Sequence, residues 1–150
     1  MKTFLEYITE KKIPSSLVLY HGTHEFFDKV DFNRLGRTDS GFLGKGFYIT
    51  GMKRLANAYS IGAAKNYGGE PTVLKVTVSP KKYLEIEGTG IGAFIDALRE
   101  VGIEYDGNPA NATSELLKKG YDSLIAWYKG ELKELVVYNP KIIKKIEKEE

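Results

Sequence analysis

With 150 residues, 22 basic against 20 acidic side chains and a net charge of +2, the chain gives no electrostatic case for a nucleic-acid or membrane partner. It contains no cysteine, which excludes a disulfide framework, a thiol nucleophile and a thiolate metal site. Hydrophobic residues at 42% and charged residues at 28% are globular values, and the length suits a single domain over residues 1–150 with a sizeable core.

The segment from Met1 to Glu10 lacks the unbroken apolar core of a signal peptide. No run approaches the ~20 apolar residues of a membrane span, so the expected compartment is the cytoplasm. Residues 2–12 read as a short amphipathic helix with Phe4, Leu5 and Ile8 on one side, ended by Pro14. Leu17-Val18-Leu19-Tyr20 is a buried-strand pattern that runs into His21-Gly22-Thr23. Residues 24–40 have the chemistry of a loop anchored by Phe26, Phe27, Val30 and Phe32. A glycine-rich turn, Gly41 to Gly46, feeds a short apolar strand that delivers Tyr48, and a helix begins near Lys53 and carries Tyr59.

Val73 to Val78 is a strand stopped by Ser79-Pro80, and Tyr83 to Ile86 is another. Gly88-Thr89-Gly90-Ile91-Gly92-Ala93 matches the dinucleotide fingerprint formally. The chain that follows lacks the parallel continuation such a unit needs, so it reads as a flexible turn between strand and helix. Residues 91–101 make a helix closed by Gly102, and Asn111 to Lys119 a second one stopped at Gly120. Asp122 to Trp127 returns as a strand, the polar turn Lys129-Gly130-Glu131 follows, and Leu132 to Tyr138 is a strand ended by Asn139-Pro140. Asp122 and Glu131 read as turn residues, and the tail from Lys141 to Glu150 as a solvated edge or helical end. Strands interrupted by a few helices, without strict βαβ alternation, predict an α+β fold with mostly antiparallel sheets.

The organising stretch is Gly41 to Tyr59. Its three glycines in the first six residues allow a tight turn and close approach to a ligand, and its two tyrosines either pack in the core or converge on a flat aromatic ligand. His21 and His24 lack a third partner for zinc, so no metal is expected. His24 is a loop residue. His21, at a strand end before the bare backbone of Gly22, is either a core histidine or one facing a ligand. Glu134 precedes Leu135-Val136-Val137-Tyr138 in a strand built for burial, and is either an exposed edge residue or an inward carboxylate of functional type.

In order and local context, His21, Tyr48, Tyr59 and Glu134 resemble the His-Tyr-Glu class of ADP-ribosyltransferases, which includes the poly(ADP-ribose) polymerases and diphtheria toxin. The motifs are Tyr20-His21-Gly22-Thr23, Gly44-Lys45-Gly46-Phe47-Tyr48 with Tyr59 following, and the closing segment Glu134 to Pro140. The ending from Leu116 to Pro140 is similar to compact transferase domains of phages and mobile elements. The resemblance implies a split β-sandwich with a few flanking helices that takes NAD as co-substrate. By that analogy His21 hydrogen-bonds the adenine-side ribose, Thr23 belongs to the NAD-binding set, Gly22 pairs with the nicotinamide carboxamide, and Tyr48 and Tyr59 enclose the nicotinamide ring. Glu134 stabilises the positive charge that grows as the glycosidic bond breaks. Arg34 and Arg37 meet the diphosphate or are exposed loop arginines.

Two departures are visible. Ala56 stands where the polymerases place a serine hydroxyl on the carboxamide, and Leu132 stands where arginine-modifying enzymes carry a first glutamate. The expected activity is transfer of one ADP-ribose from NAD to a macromolecular acceptor, protein first and nucleic acid open, with no membrane partner and an undetermined oligomeric state. A NAD glycohydrolase, or an inactive fold that binds a nucleotide or a partner, is the alternative.

Overall fold

A computed structural model of the chain describes residues 13–33 and 42–149. The expected helix over 2–12 and the arginines at 34 and 37 lie outside the described residues. The elements run β1 (Leu17–Thr23), β2 (Phe47–Ile49), α1 (Lys53–Tyr67), β3 (Thr72–Val78), β4 (Tyr83–Glu87), α2 (Ile91–Glu100), α3 (Pro109–Lys118), β5 (Ser123–Tyr128) and β6 (Glu131–Val137). A 3-10 turn (Pro140–Ile142) then leads to β7 (Ile143–Lys148).

The strands form two sheets, β1-β3-β7 and β2-β6-β5-β4. Every pairing is antiparallel except β4 with β5, so the fold is α+β as the element order predicts. Alternation on β3 buries Thr72, Leu74, Val76 and Val78. Three of these join Leu19, Phe47, Ile49, Ile125, Leu135 and Val137 in a core between the sheets. The other face of the second sheet presents Leu84, Ile86, Leu124, Ala126 and Val136 to Phe94 and Leu98 of α2 and Leu116 of α3. Covered on both faces, β5 is an unbroken apolar run rather than an alternating one.

The helix ends follow from their sequences. α3 starts two residues earlier than the sequence suggests because Asn108 is the cap: its side chain accepts from the Ala110 N–H at 2.9 Å, and Pro109 occupies the first turn. At the other end Gly120, at φ 89°, lets the Tyr121 N–H reach back to the Leu116 carbonyl at 3.0 Å. Lys129 and Gly130 both have positive φ, the mark of the tight two-residue hairpin that joins β5 to β6.

Two expectations need correction. The C-terminal tail is neither a solvated edge alone nor a helical end. It is strand β7, paired antiparallel with β3, with Ile146 in the core and its lysines outward, because Ile143 and Ile146 give it an apolar side. Asp122 is more than a turn residue. It is buried, and its carboxylate accepts from the N–H groups of Lys81 and Lys82 at 2.9 and 3.1 Å and from the Ser123 hydroxyl at 2.7 Å.

The two sheets meet at one corner, where Tyr20 of β1 and Thr50 exchange backbone hydrogen bonds of 2.8 Å in both directions. Over the same end of β1 lies α1, which buries only Ala56 and Ser60. A Cβ on Gly22 would lie 2.0 Å from the Ala56 carbonyl oxygen, so helix and strand approach more closely than any residue but glycine allows.

Candidate active site

At this corner a cleft of about 610 Å³ opens between the end of β1, the strands β2 and β6, and α1. His21, Gly22, Thr23, Tyr48, Tyr59 and Glu134, predicted from positions more than a hundred residues apart at the extremes, all line it.

On β1, successive residues direct their backbone polar groups to alternate sides. Tyr20 turns its N–H and C=O toward Thr50, away from β3, and Gly22, two residues on, turns the same way, into the split between the sheets. The backbone groups of His21 point the other way, toward β3, but its ring reaches β2, 4.5 Å from the ring of Phe47 and 5.8 Å from that of Phe27. Its Nδ1 lies 2.8 Å from the Tyr48 carbonyl oxygen. A carbonyl only accepts, so Nδ1 carries the proton and the neutral ring keeps Nε2 as an acceptor. Burial lowers the imidazole below its ordinary 6.5, against the opposing pull of the Tyr48 carbonyl, so the ring is neutral at pH 7. Thr23 is buried at the end of the strand.

Tyr48 and Glu134 are brought together by strand register. Tyr48 is opposite Val136, and Glu134 lies two residues from Val136 on β6, so both side chains leave the same face of the second sheet as diagonal neighbours. Just before Glu134 the β5–β6 ladder jumps from Ala126 with Glu134 to Trp127 with Leu132, which leaves Lys133 as the extra residue of a β-bulge. Bulges of this kind re-aim the adjacent side chain, and Glu134 is accordingly half-buried at the cleft rather than an exposed edge residue.

The Tyr48 hydroxyl is committed to the glycine-rich turn: it accepts from the Leu43 N–H at 3.0 Å and donates to the Gly44 carbonyl at 2.5 Å. The ring packs against the core beneath the second sheet. What Tyr48 can offer a ligand is therefore a fixed aromatic surface and not a phenolic proton. Tyr59, on α1, is 53% exposed and lines the same cleft.

At Gly44 and Gly46 the close approach expected toward a ligand is made to neighbouring elements instead; Gly41 lies outside the described residues. A Cβ on Gly46 would stand 2.6 Å from Val136 Cγ1, and one on Gly44, whose φ is +93°, 2.9 Å from Thr113 Oγ1. These glycines let the turn lie on β6 and α3. Nor do the two histidines cooperate, since His24 stacks toward Tyr67 with ring centroids 5.4 Å apart while His21 is held by Tyr48.

Several lining residues were not singled out by sequence reasoning. Gly62, Ala63 and Asn66 follow Tyr59 at the spacing of one helical face, a signal present in the sequence but masked by their small size and low apolar contrast. Thr50 was passed over too. Its Oγ1 donates to the Lys133 carbonyl at 2.5 Å and accepts from the Met52 N–H at 3.0 Å.

The family model described as ADP-ribosyltransferase in polyvalent proteins matches residues 15–150, nearly the whole chain and every residue of this cleft. The chain belongs to that family. ADP-ribosyltransferase domains use NAD as the donor of ADP-ribose, and the split sandwich agrees with their fold. No curated protein matches the chain. Among the described residues, no helix is long and apolar enough to cross a membrane.

Proposed function

We propose that this ADP-ribosyltransferase domain is of the His-Tyr-Glu class and acts as a mono-ADP-ribosyltransferase. It binds NAD in the corner cleft, cleaves the bond between nicotinamide and ribose, and passes one ADP-ribose to a macromolecular acceptor, protein before nucleic acid. The observation that carries this reading is the convergence of His21, Gly22, Tyr48, Tyr59 and Glu134, from three strands and a helix, on one cleft of about 610 Å³.

The groups there fit the chemistry. The backbone edge of Gly22 supplies one donor and one acceptor side by side, which suits a carboxamide, and with Ala56 in place of a serine that edge is its main anchor. The rings of Tyr48 and Tyr59 offer faces to a planar pyridine; aromatic pairing of this sort contributes roughly 0.5–1.5 kcal/mol beyond burial. The neutral His21 accepts a ribose hydroxyl through Nε2. Glu134 supplies a fixed negative charge where the ribose becomes positive as nicotinamide departs, and it accepts a hydrogen bond from the ribose hydroxyl beside that centre.

Incubation with adenylate-labelled NAD and a cell lysate tests the proposal. The expected result is release of nicotinamide together with label on macromolecules. Nicotinamide release without label would make the protein a glycohydrolase. A NAD-dependent rise in melting temperature without release would make it a binding module, and no rise at all would refute NAD as ligand.

A further inference from the structure

We propose that Thr50 is a positioning residue whose hydroxyl clamps the bulge before Glu134 and thereby aims the carboxylate; this rests on the catalytic reading of Glu134 above.

Continuing the β2–β6 register one step beyond Ile49 and Leu135 would set Thr50 opposite Glu134. The bulge at Lys133 breaks the ladder at that point. Thr50 spends its backbone N–H and C=O elsewhere, on Tyr20 of the other sheet at 2.8 Å each. The contact to β6 is made instead by its side chain, whose Oγ1 donates to the carbonyl of Lys133, the extra residue of the bulge. The same oxygen accepts from Met52 N–H, at the start of α1. One buried residue therefore joins the first sheet through its backbone, and β6 and the helix that carries Tyr59 through its hydroxyl.

Gly51 supports the clamp from the next position. A Cβ there would lie 2.4 Å from the Leu132 carbonyl oxygen, so the chain after Thr50 lies flat against the bulged segment. Without the hydroxyl the Lys133 peptide is free to rotate, and Glu134 moves with it. A displacement near 1 Å of a group that must meet a developing charge costs on the order of 10²-fold in rate.

The test compares Thr50→Val, which keeps the shape and removes the hydroxyl, with Thr50→Ser, which keeps the hydroxyl, in native and Glu134→Gln backgrounds. Thr50→Val is expected to lower kcat for nicotinamide release on the order of 10²-fold with KM for NAD changed less than about threefold, and Thr50→Ser to restore kcat. In the Glu134→Gln background Thr50→Val is expected to add almost nothing, since the group it aims is already neutral. A native kcat in Thr50→Val, an equal loss in Thr50→Ser, or losses that multiply in the double variant would each overturn the proposal. Amide hydrogen exchange separates this from the functional reading. If the native protein releases no nicotinamide, the catalytic reading fails, while faster exchange at Met52 and the bulged segment in Thr50→Val but not Thr50→Ser still shows the clamp. Unchanged exchange in Thr50→Val overturns it.

Discussion

Replacing Glu134 by Gln removes one negative charge from the cleft and almost nothing else. The amide has the shape of the carboxylate and can still accept a hydrogen bond, so a ligand's ground-state contacts largely survive. The magnitude follows from where the side chain sits. Glu134 is half-buried beside the bulge, neither in bulk water nor in a dry core. For a unit positive charge developing about 4 Å away, Coulomb's law gives about 4 kcal/mol at an effective dielectric constant of about 20, against about 1 kcal/mol in water. At about 1.4 kcal/mol per decade the first figure corresponds to roughly 10³-fold in kcat and the second to less than tenfold. Steady-state nicotinamide release, paired with NAD affinity from thermal shift, separates the two. The expected outcome is a fall in kcat of up to about 10³-fold with affinity within about threefold, because the positive charge already on the nicotinamide ring moves onto the ribose in the transition state, and the proposed role aims the carboxylate at the ribose. A kcat within tenfold of native, or a loss confined to KM, would refute the assignment of Glu134 to charge stabilisation.

Other perturbations probe the frame around that charge. Gly22→Ala places a methyl 2.0 Å from the Ala56 carbonyl oxygen and 2.7 Å from the Ser60 nitrogen, so α1 must move; a loss of about 1–3 kcal/mol in urea unfolding and weaker NAD binding are expected, and native-like affinity would show that the helix position is immaterial. Tyr48→Phe leaves the Leu43 N–H and the Gly44 carbonyl without their partner, which should cost about 1–3 kcal/mol of stability while kcat stays within about threefold; a loss as large as that of Glu134→Gln would mean the hydroxyl takes part in chemistry. Because burial holds His21 below 6.5, the unfolded chain takes up a proton that the folded chain refuses. Its contribution is therefore complete above pH 6.5 and is lost as pH falls through the folded value, at up to about 1.4 kcal/mol per pH unit; urea titrations of native protein and His21→Gln should diverge in that window and run parallel above it.

The strands and helices were legible because each carries its own signal. Val73 to Val78 alternates, Gly120 stops a helix whose Asn108-Pro109 start went unread, and Lys129-Gly130 is turn chemistry with apolar runs on either side. The tail misled because three isoleucines among lysines and glutamates are compatible with a strand or a helix end, and only the free edge of β3 decides between them. The candidate site residues, and their meeting in one cleft, were legible only through the resemblance to a known class. That meeting depends on the register that sets Tyr48 against Val136 and on the single bridge between Tyr20 and Thr50, pairings that no local pattern announces.

The glycines make the same point from the other side. A glycine-rich turn before an aromatic residue invites a ligand-binding interpretation, yet Gly44 and Gly46 are bare because Thr113, Val136 and Tyr138 fill the space, and Gly22 because α1 lies on it. Composition alone cannot distinguish backbone that is bare for a ligand from backbone that is bare for a neighbouring element. The distinction matters for function. Tight packing fixes walls of the cleft: β1 is held by α1, and Tyr48 by the turn, which is itself held by Tyr138, whose hydroxyl donates to the Leu43 carbonyl at 2.5 Å. A carboxylate lowers the barrier only if it is already aimed when charge develops, so on the proposed role of Glu134 rigidity in these walls is what would let it act without reorganisation. On that proposal the residues that only pack would be as much a condition of the chemistry as those that line the cleft.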